Sequence, residues 1–192
     1  YYEQHIYPVL MPLAVDPAHP FPYISGRALN ISIRVRNPRS DKVEFARLKV
    51  PQMIPRYVRV DRRESDDNVR FIALEELIAN QLDRLFPGME VVDHHVFRVT
   101  RNEDVEIEED ETENLSQALE KELLRRRFGP PIRLEISDDM DKATLDLLVS
   151  EFDIDPQQVY TLPAPLDLGG LFALSRLERP ELKYTPHIPV TH

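Results

Sequence analysis

The sequence predicts an α+β fold, a mixed β-sheet with helices packed on its faces. Leu29, Ile31, Ile33 and Val35 alternate with polar residues, the period-2 pattern of a half-buried strand. Leu74, Leu77, Ile78, Leu82 and Leu85 instead recur at helical spacing, and Pro87-Gly88 closes that run. Strand and helix patterns then interleave irregularly, with hairpins and few clean βαβ units, which favours α+β over a doubly wound sheet.

The elements follow in order. Pro8, Pro12, Pro17, Pro20 and Pro22 crowd the first 26 residues. Proline at that density removes backbone donors and predicts an extended arm. Ile6, Val9, Leu10, Leu13, Phe21, Tyr23 and Ile24 make the arm too apolar to stay wet, so it should pack on a sheet or a neighbouring domain. LNISIRVR (29–36) and VEFARLKV (43–50) read as two strands joined through the turn residues NPRSD. Residues 57–60 and 69–72 are shorter strands around the polar tip DRRESDD, and ALEELIANQLDRLF (73–86) is the helix. Residues 89–100 form a strand pattern, with a short one around Val105 and Ile107. A helix is predicted over 112–127, with acids at its start and arginines at its end, as the helix dipole favours. PIRLEI is a strand, MDKATLDLLVSEF an amphipathic helix, and a short strand begins at Val159. APLDLGGLFALSRL and a second proline-rich stretch, TPHIPVTH, follow.

Composition narrows the function classes. The chain has 192 residues, 42% hydrophobic and 30% charged, enough for one sizeable core. No run approaches the roughly 18 apolar residues of a membrane span, and no secretory signal pattern is visible. The absence of cysteine excludes disulfides and thiolate metal sites and fits the cytoplasm. A formal net charge of -10 argues against nucleic acid or any general polyanion as a partner. The chain opens at Tyr1 in a run, YYEQHIYPVL, that reads as a segment of a larger protein.

Two adjacent histidines, His94 and His95, precede the acidic run 103–111. On a strand they point to opposite faces, so both cannot reach one metal without a bulge, and no other histidine completes a zinc pattern. Structural or surface roles are expected for both, with a phosphate-accepting imidazole as the sharper alternative. In the acidic run, Val105 and Ile107 alternate with acids as in an edge strand, and Asp110 with Glu113 resembles a capping box. Neither feature requires a divalent cation. Three basic clusters could meet a polyanion: Arg59 with Arg62 and Arg63; Arg125, Arg126 and Arg127; and Arg34, Arg36 and Arg39. With five glycines and no phosphate-binding loop or nucleophile elbow, no self-sufficient active site is legible.

Several ordered runs resemble the middle, or head, domain of bacterial polyphosphate kinases. They are PVLMPLAVDPAHPFPYISG, FIALEELIANQLDRLFPGMEV, FRVTRNEDVEIEED, LEKELLRRRFGPPIRLEI and VYTLPAPLDLGGLFAL, followed by the exit PHIPVTH. Ala164 departs from the glycine expected there, which bears on a local turn. The resemblance implies an arm at 1–26 entering from a helical domain, a head domain over 27–178, and an exit arm at 179–192 towards C-terminal catalytic domains. It implies a whole enzyme that reversibly moves the terminal phosphate of ATP onto inorganic polyphosphate through a phosphohistidine, with ATP and Mg2+ bound outside this segment. It further implies a head fold like the phosphohistidine phosphatases, a homo-oligomer of at least two copies, and no catalytic, cofactor or metal residue here, His94 and His95 included. The alternative is a polyphosphate-binding regulatory module that works through the arginine clusters.

Overall fold

The computed structural model describes residues 1–16, 18–60, 69–102, 129–163, 165–185 and 187–189. The expected hairpin is present: β2 (Leu29–Arg36) pairs antiparallel with β3 (Val43–Lys49). Its turn is built by Asn37, whose side-chain oxygen accepts from the Arg39 N–H, and by Asp41 at φ 55. Aspartate tolerates that left-handed backbone, which a β-branched residue would resist.

Residues 1–26 are not extended throughout. A wide helical turn at Tyr2–Ile6 and a 3-10 turn at Tyr7–Val9 precede β1 (Pro12–Val15). Residues 2–6 contain no proline, so nothing there blocks the turn, and Ile6 is buried beneath it. Pro12 is tolerated as the first residue of a strand at the sheet edge.

Six strands form one sheet in the order β1-β3-β2-β6-β7-β8, where β6 is Glu90–Arg101, β7 Pro131–Ser137 and β8 Val159–Leu162. All neighbours run antiparallel except β7 and β8, so the sheet is mixed. A separate two-stranded ribbon pairs β4 (Tyr57–Arg59) with β5 (Phe71–Ala73). The helical run 73–86 is interrupted, giving α1 (Leu74–Ala79) and α2 (Leu82–Leu85). Asn80 ends the first piece by donating both its side-chain and backbone N–H groups to the Glu76 carbonyl. The predicted strand near Val105 and the helix over 112–127 lie outside the described residues.

The sheet separates two apolar cores. On one face Ile31, Ile33, Ala46 and Leu48 pack against Ile6, Leu74, Ile78 and Leu82. On the other, Phe45, Phe97, Val99 and Leu134 pack against Leu148 and Phe152 of α3 (Lys142–Phe152) and against Ile24. Burying side chains such as Phe97 and Leu148 contributes about 1.5–3 kcal/mol each. Helices on both faces of a mixed sheet agree with the α+β expectation.

Candidate functional site

The alternation of β6 decides what each histidine does. His95 is buried and His94 exposed, as opposite-facing neighbours on a strand must be. A register shift between Arg34 and Val35 leaves Val92 opposite no β2 residue. That bulge lets Val91 pair with Val35 on the α1 face, while Asp93 and His95 lie opposite Arg34 and Ser32 on the α3 face.

Around His95 the chain gathers charge. Arg34 donates to Asp93 from Nε at 2.9 Å to both carboxylate oxygens, and from Nη2 to Oδ2. Its Nη2 also lies 3.4 Å from Asp141 Oδ1. Asp141 caps α3: its Oδ1 accepts from the N–H groups of Ala143 at 2.9 Å and Thr144 at 3.2 Å. The other oxygen, Oδ2, turns inward and sits 3.2 Å from His95 Nε2. Asp93 Oδ1 lies 3.9 Å from the same nitrogen, and Asp139 Oδ1 is 3.7 Å from His95 Nδ1. Among the described residues, His95 Nδ1, His95 Nε2 and Asp141 Oδ2 are buried without a hydrogen-bond partner.

Both flanking carboxyls are held below the ordinary aspartate value. For Asp139 the nearby Ser137 hydroxyl is the main cause, with burial opposing it. For Asp141 burial is the largest influence and acts upward, but the Thr144 hydroxyl and N–H, the Arg34 charge and the Ala143 N–H together outweigh it. Donor dipoles and positive charge directed at the ionised form stabilise it. Both groups are therefore carboxylates at neutral pH.

A cleft of about 350 Å³ opens beside this cluster, lined among others by Glu75, His94, His95, Ser137, Asp139 and Leu166. It occupies a notch in the sheet. β7 pairs with β6 only from Phe97 onward, so the Glu90–Val96 half of β6 has β2 on one side and, among the described residues, no strand on the other. This explains how residues of both sheet faces reach one cleft.

The arrangement disfavours His95 as a phosphate carrier. Its Nε2 faces Asp93 and Asp141, so an incoming phosphoryl group would meet two carboxylates with Arg34 already engaged by both. His94, on the cleft rim, is open to solvent. Among the described residues, the one cluster with metal-ligating geometry is Asp93, His95 and Asp141. Sequence reasoning passed over both aspartates. Asp93-x-His95 is a same-face pair on a strand and was a readable signal, whereas Asp141 joins it only through the fold.

Of the arginines expected to meet polyanions, Arg59 ends β4 and is exposed. Arg62, Arg63, Arg125, Arg126 and Arg127 lie outside the described residues. Arg34 is committed to the aspartates above, and Arg36 pairs with Asp41 and Glu90.

A second depression, of about 610 Å³, is lined by Arg27, Met53, Arg56, Gly170, Phe172 and Arg176 among others. Arg56, on its lining, makes a buried fork in which Nη2 meets Glu75 Oε1 at 2.5 Å and Nη1 donates to the Asp167 carbonyl at 2.5 Å. Asp167 adopts φ 55, which swings the PLDLGG turn over the guanidinium. A Cβ on Gly170 would stand 2.7 Å from Arg56 Cδ, so the turn closes because that residue is glycine. Among the described residues, no helix is long and apolar enough to cross a membrane.

Comparison with known proteins agrees with the resemblance read from the sequence. The family profile described as the polyphosphate kinase middle domain matches residues 1–174. A polyphosphate kinase of Streptomyces coelicolor is 54% identical over 191 residues, covering 100% of this chain and 25% of the relative. One of Mycolicibacterium gilvum is 52% identical over 192 residues, covering 100% of this chain and 26% of the relative. The chain thus spans about a quarter of the length of the curated relatives it matches. The crystal structure of polyphosphate kinase from Porphyromonas gingivalis shares the fold, with a TM-score of 0.73 and 24% identity over 98% of this chain and 26% of that one. On the family match and these identities, the chain belongs to the polyphosphate kinase family as its middle domain.

Proposed function

We propose that this middle domain serves a whole enzyme that reversibly transfers the terminal phosphate of ATP to inorganic polyphosphate through a phosphohistidine. In this reading the domain is non-catalytic, and ATP, Mg2+ and the carrier histidine belong to other parts of the enzyme. The observation that carries it is the setting of His95, whose nitrogens are buried among carboxylates instead of being presented to an anionic donor. The domain would then contribute assembly, both with neighbouring domains of its own chain and with a second copy, in the cytoplasm. Exposed apolar side chains support a docking role: Met11, Met53, Phe172, Leu182, Tyr184 and Ile188 stand largely in solvent. Met53 and Phe172 line one depression together, as the apolar side chains of a docking surface would. The mixed sheet with helices on both faces also supports kinship with the phosphohistidine phosphatase fold.

The test is a labelling experiment on the full-length enzyme with terminally labelled ATP, Mg2+ and short polyphosphate. A His94→Ala variant should carry wild-type label on protein and polymer, because His94 is a surface residue of a supporting domain. Loss of acid-labile protein label in that variant, with the fold intact, would return the chemistry to this domain and overturn the proposal.

A further inference from the structure

We propose that Asp93, His95 and Asp141 form a binding site for one divalent transition metal ion of the zinc class, clamping β6 to the N-terminus of α3. This inference is independent of the functional reading above.

The spacing fits a shared ion. A tetrahedral centre with bonds of about 2.0–2.1 Å places neighbouring ligand atoms roughly 3.3 Å apart. His95 Nε2 has Asp141 Oδ2 at 3.2 Å and Asp93 Oδ1 at 3.9 Å, and the three ligand atoms lie within 4.8 Å of one another. A simple imidazole–carboxylate hydrogen bond would put one oxygen on the N–H axis. Here, among the described residues, Nε2 has no hydrogen-bond partner although an oxygen is 3.2 Å away, and Asp141 Oδ2 has none either. Two carboxylates flank the nitrogen, as the co-ligands of an ion do.

Burial and charge point the same way. His95 is 8% exposed, and a buried polar side chain without a partner is costly. Arg34 contacts Asp93 and Asp141 and balances one negative charge. With Asp139 beside Nδ1, three carboxylates surround one guanidinium and one imidazole, an acidic setting that a divalent ion would offset. An imidazole ligand selects zinc-like ions over magnesium or calcium, which prefer all-oxygen shells. Asp139 Oδ1, 3.7 Å from Nδ1, is placed to orient the ring from behind, in the carboxylate–histidine–metal arrangement.

Asp141 divides its labour between two oxygens, which makes the test clean. Oδ1 caps α3 and Oδ2 faces His95. Asp141→Asn keeps a capping oxygen but replaces the ligand oxygen with an N–H donor, so the helix start survives while ligation is lost. The full-length chain carrying these residues, untagged and stripped with chelator, is titrated with Zn2+ against a chelating dye. Wild type should hold one equivalent more than Asp141→Asn and Asp93→Asn, or bind that equivalent at least tenfold more tightly, the lower bound even for losing an outer-shell partner. Co2+ in place of Zn2+ should give wild type a visible absorption band that both variants lack. Equal stoichiometry and affinity in wild type and variants would overturn the proposal, because the ion would then sit elsewhere.

Discussion

Glu75→Gln should be among the most damaging single substitutions in this domain that leave side-chain volume unchanged. Glu75 is 4% exposed and receives Arg56 from Nε at 3.1 Å and from Nη2 at 2.5 Å. Burial pulls the Arg56 guanidinium downward, yet Glu75, Tyr57 and Asp167 more than offset it, so Arg56 remains a buried cation. Removing one partner of such a pair leaves an uncompensated charge at a cost of about 3–5 kcal/mol. The lower end applies, because the Asp167 carbonyl still accepts from Nη1 and its carboxylate lies 3.6 Å away. At roughly 2–4 °C per kcal/mol for a chain of this size, Tm should fall by about 6–12 °C. The double variant Arg56→Met/Glu75→Leu removes both charges and should recover to within about 1 kcal/mol of wild type. Urea unfolding followed by far-ultraviolet circular dichroism measures both. A loss below about 1 kcal/mol in Glu75→Gln, or a double variant as weak as the sum of its singles, would refute the buried-charge account.

Three further outcomes follow from the same geometry. Gly170→Ala should cost about 1–3 kcal/mol by overpacking against Arg56 Cδ, and little in the Arg56→Ala background, which has no δ atom there, as paired denaturation curves will show. Asp141→Ala should lose about 0.5–2 kcal/mol with the α3 cap, whereas Asp141→Asn retains most of that stability in the metal-free protein. The Asp16 carboxyl, held down chiefly by the His19 ring and then by the Ala18 N–H, should titrate in NMR below the ordinary aspartate value. Because its folded value is depressed, its contribution is present above the unfolded value and is lost as pH falls through the folded one. His19→Ala should move the midpoint back up.

β2 was legible because its apolar residues all face the α1 core while Asn30, Ser32 and Arg34 on the opposite face are polar, so the period-2 pattern could be read directly from Leu29 to Val35 although both faces are covered. The interrupted helix was less legible. Leu82 and Leu85 continue the helical spacing of Leu74 and Ile78, and only Asn80, bonding back to Glu76, ends the first piece. Proline density gave a misleading account of the first residues, because a count over 1–26 hides the proline-free stretch 2–6 that turns and buries Ile6.

The His95 cluster shows why a site can escape a sequence reading even when its host strand does not. Strict alternation correctly separates His94 from His95, and it is what made a shared metal look impossible. The relevant partner of His95 was never its neighbour but Asp93, two residues back on the same face, a pairing that the same alternation makes readable. Asp141 could be read as a helix cap from its place before KATL, and capping fully accounts for one of its oxygens. The second oxygen is the informative one. Capping needs only Oδ1, so Asn or Ser would serve a helix start here as well as Asp. A carboxylate that also turns a bare Oδ2 towards a buried imidazole answers to a second requirement, and that requirement exists only once β6 and α3 have packed together.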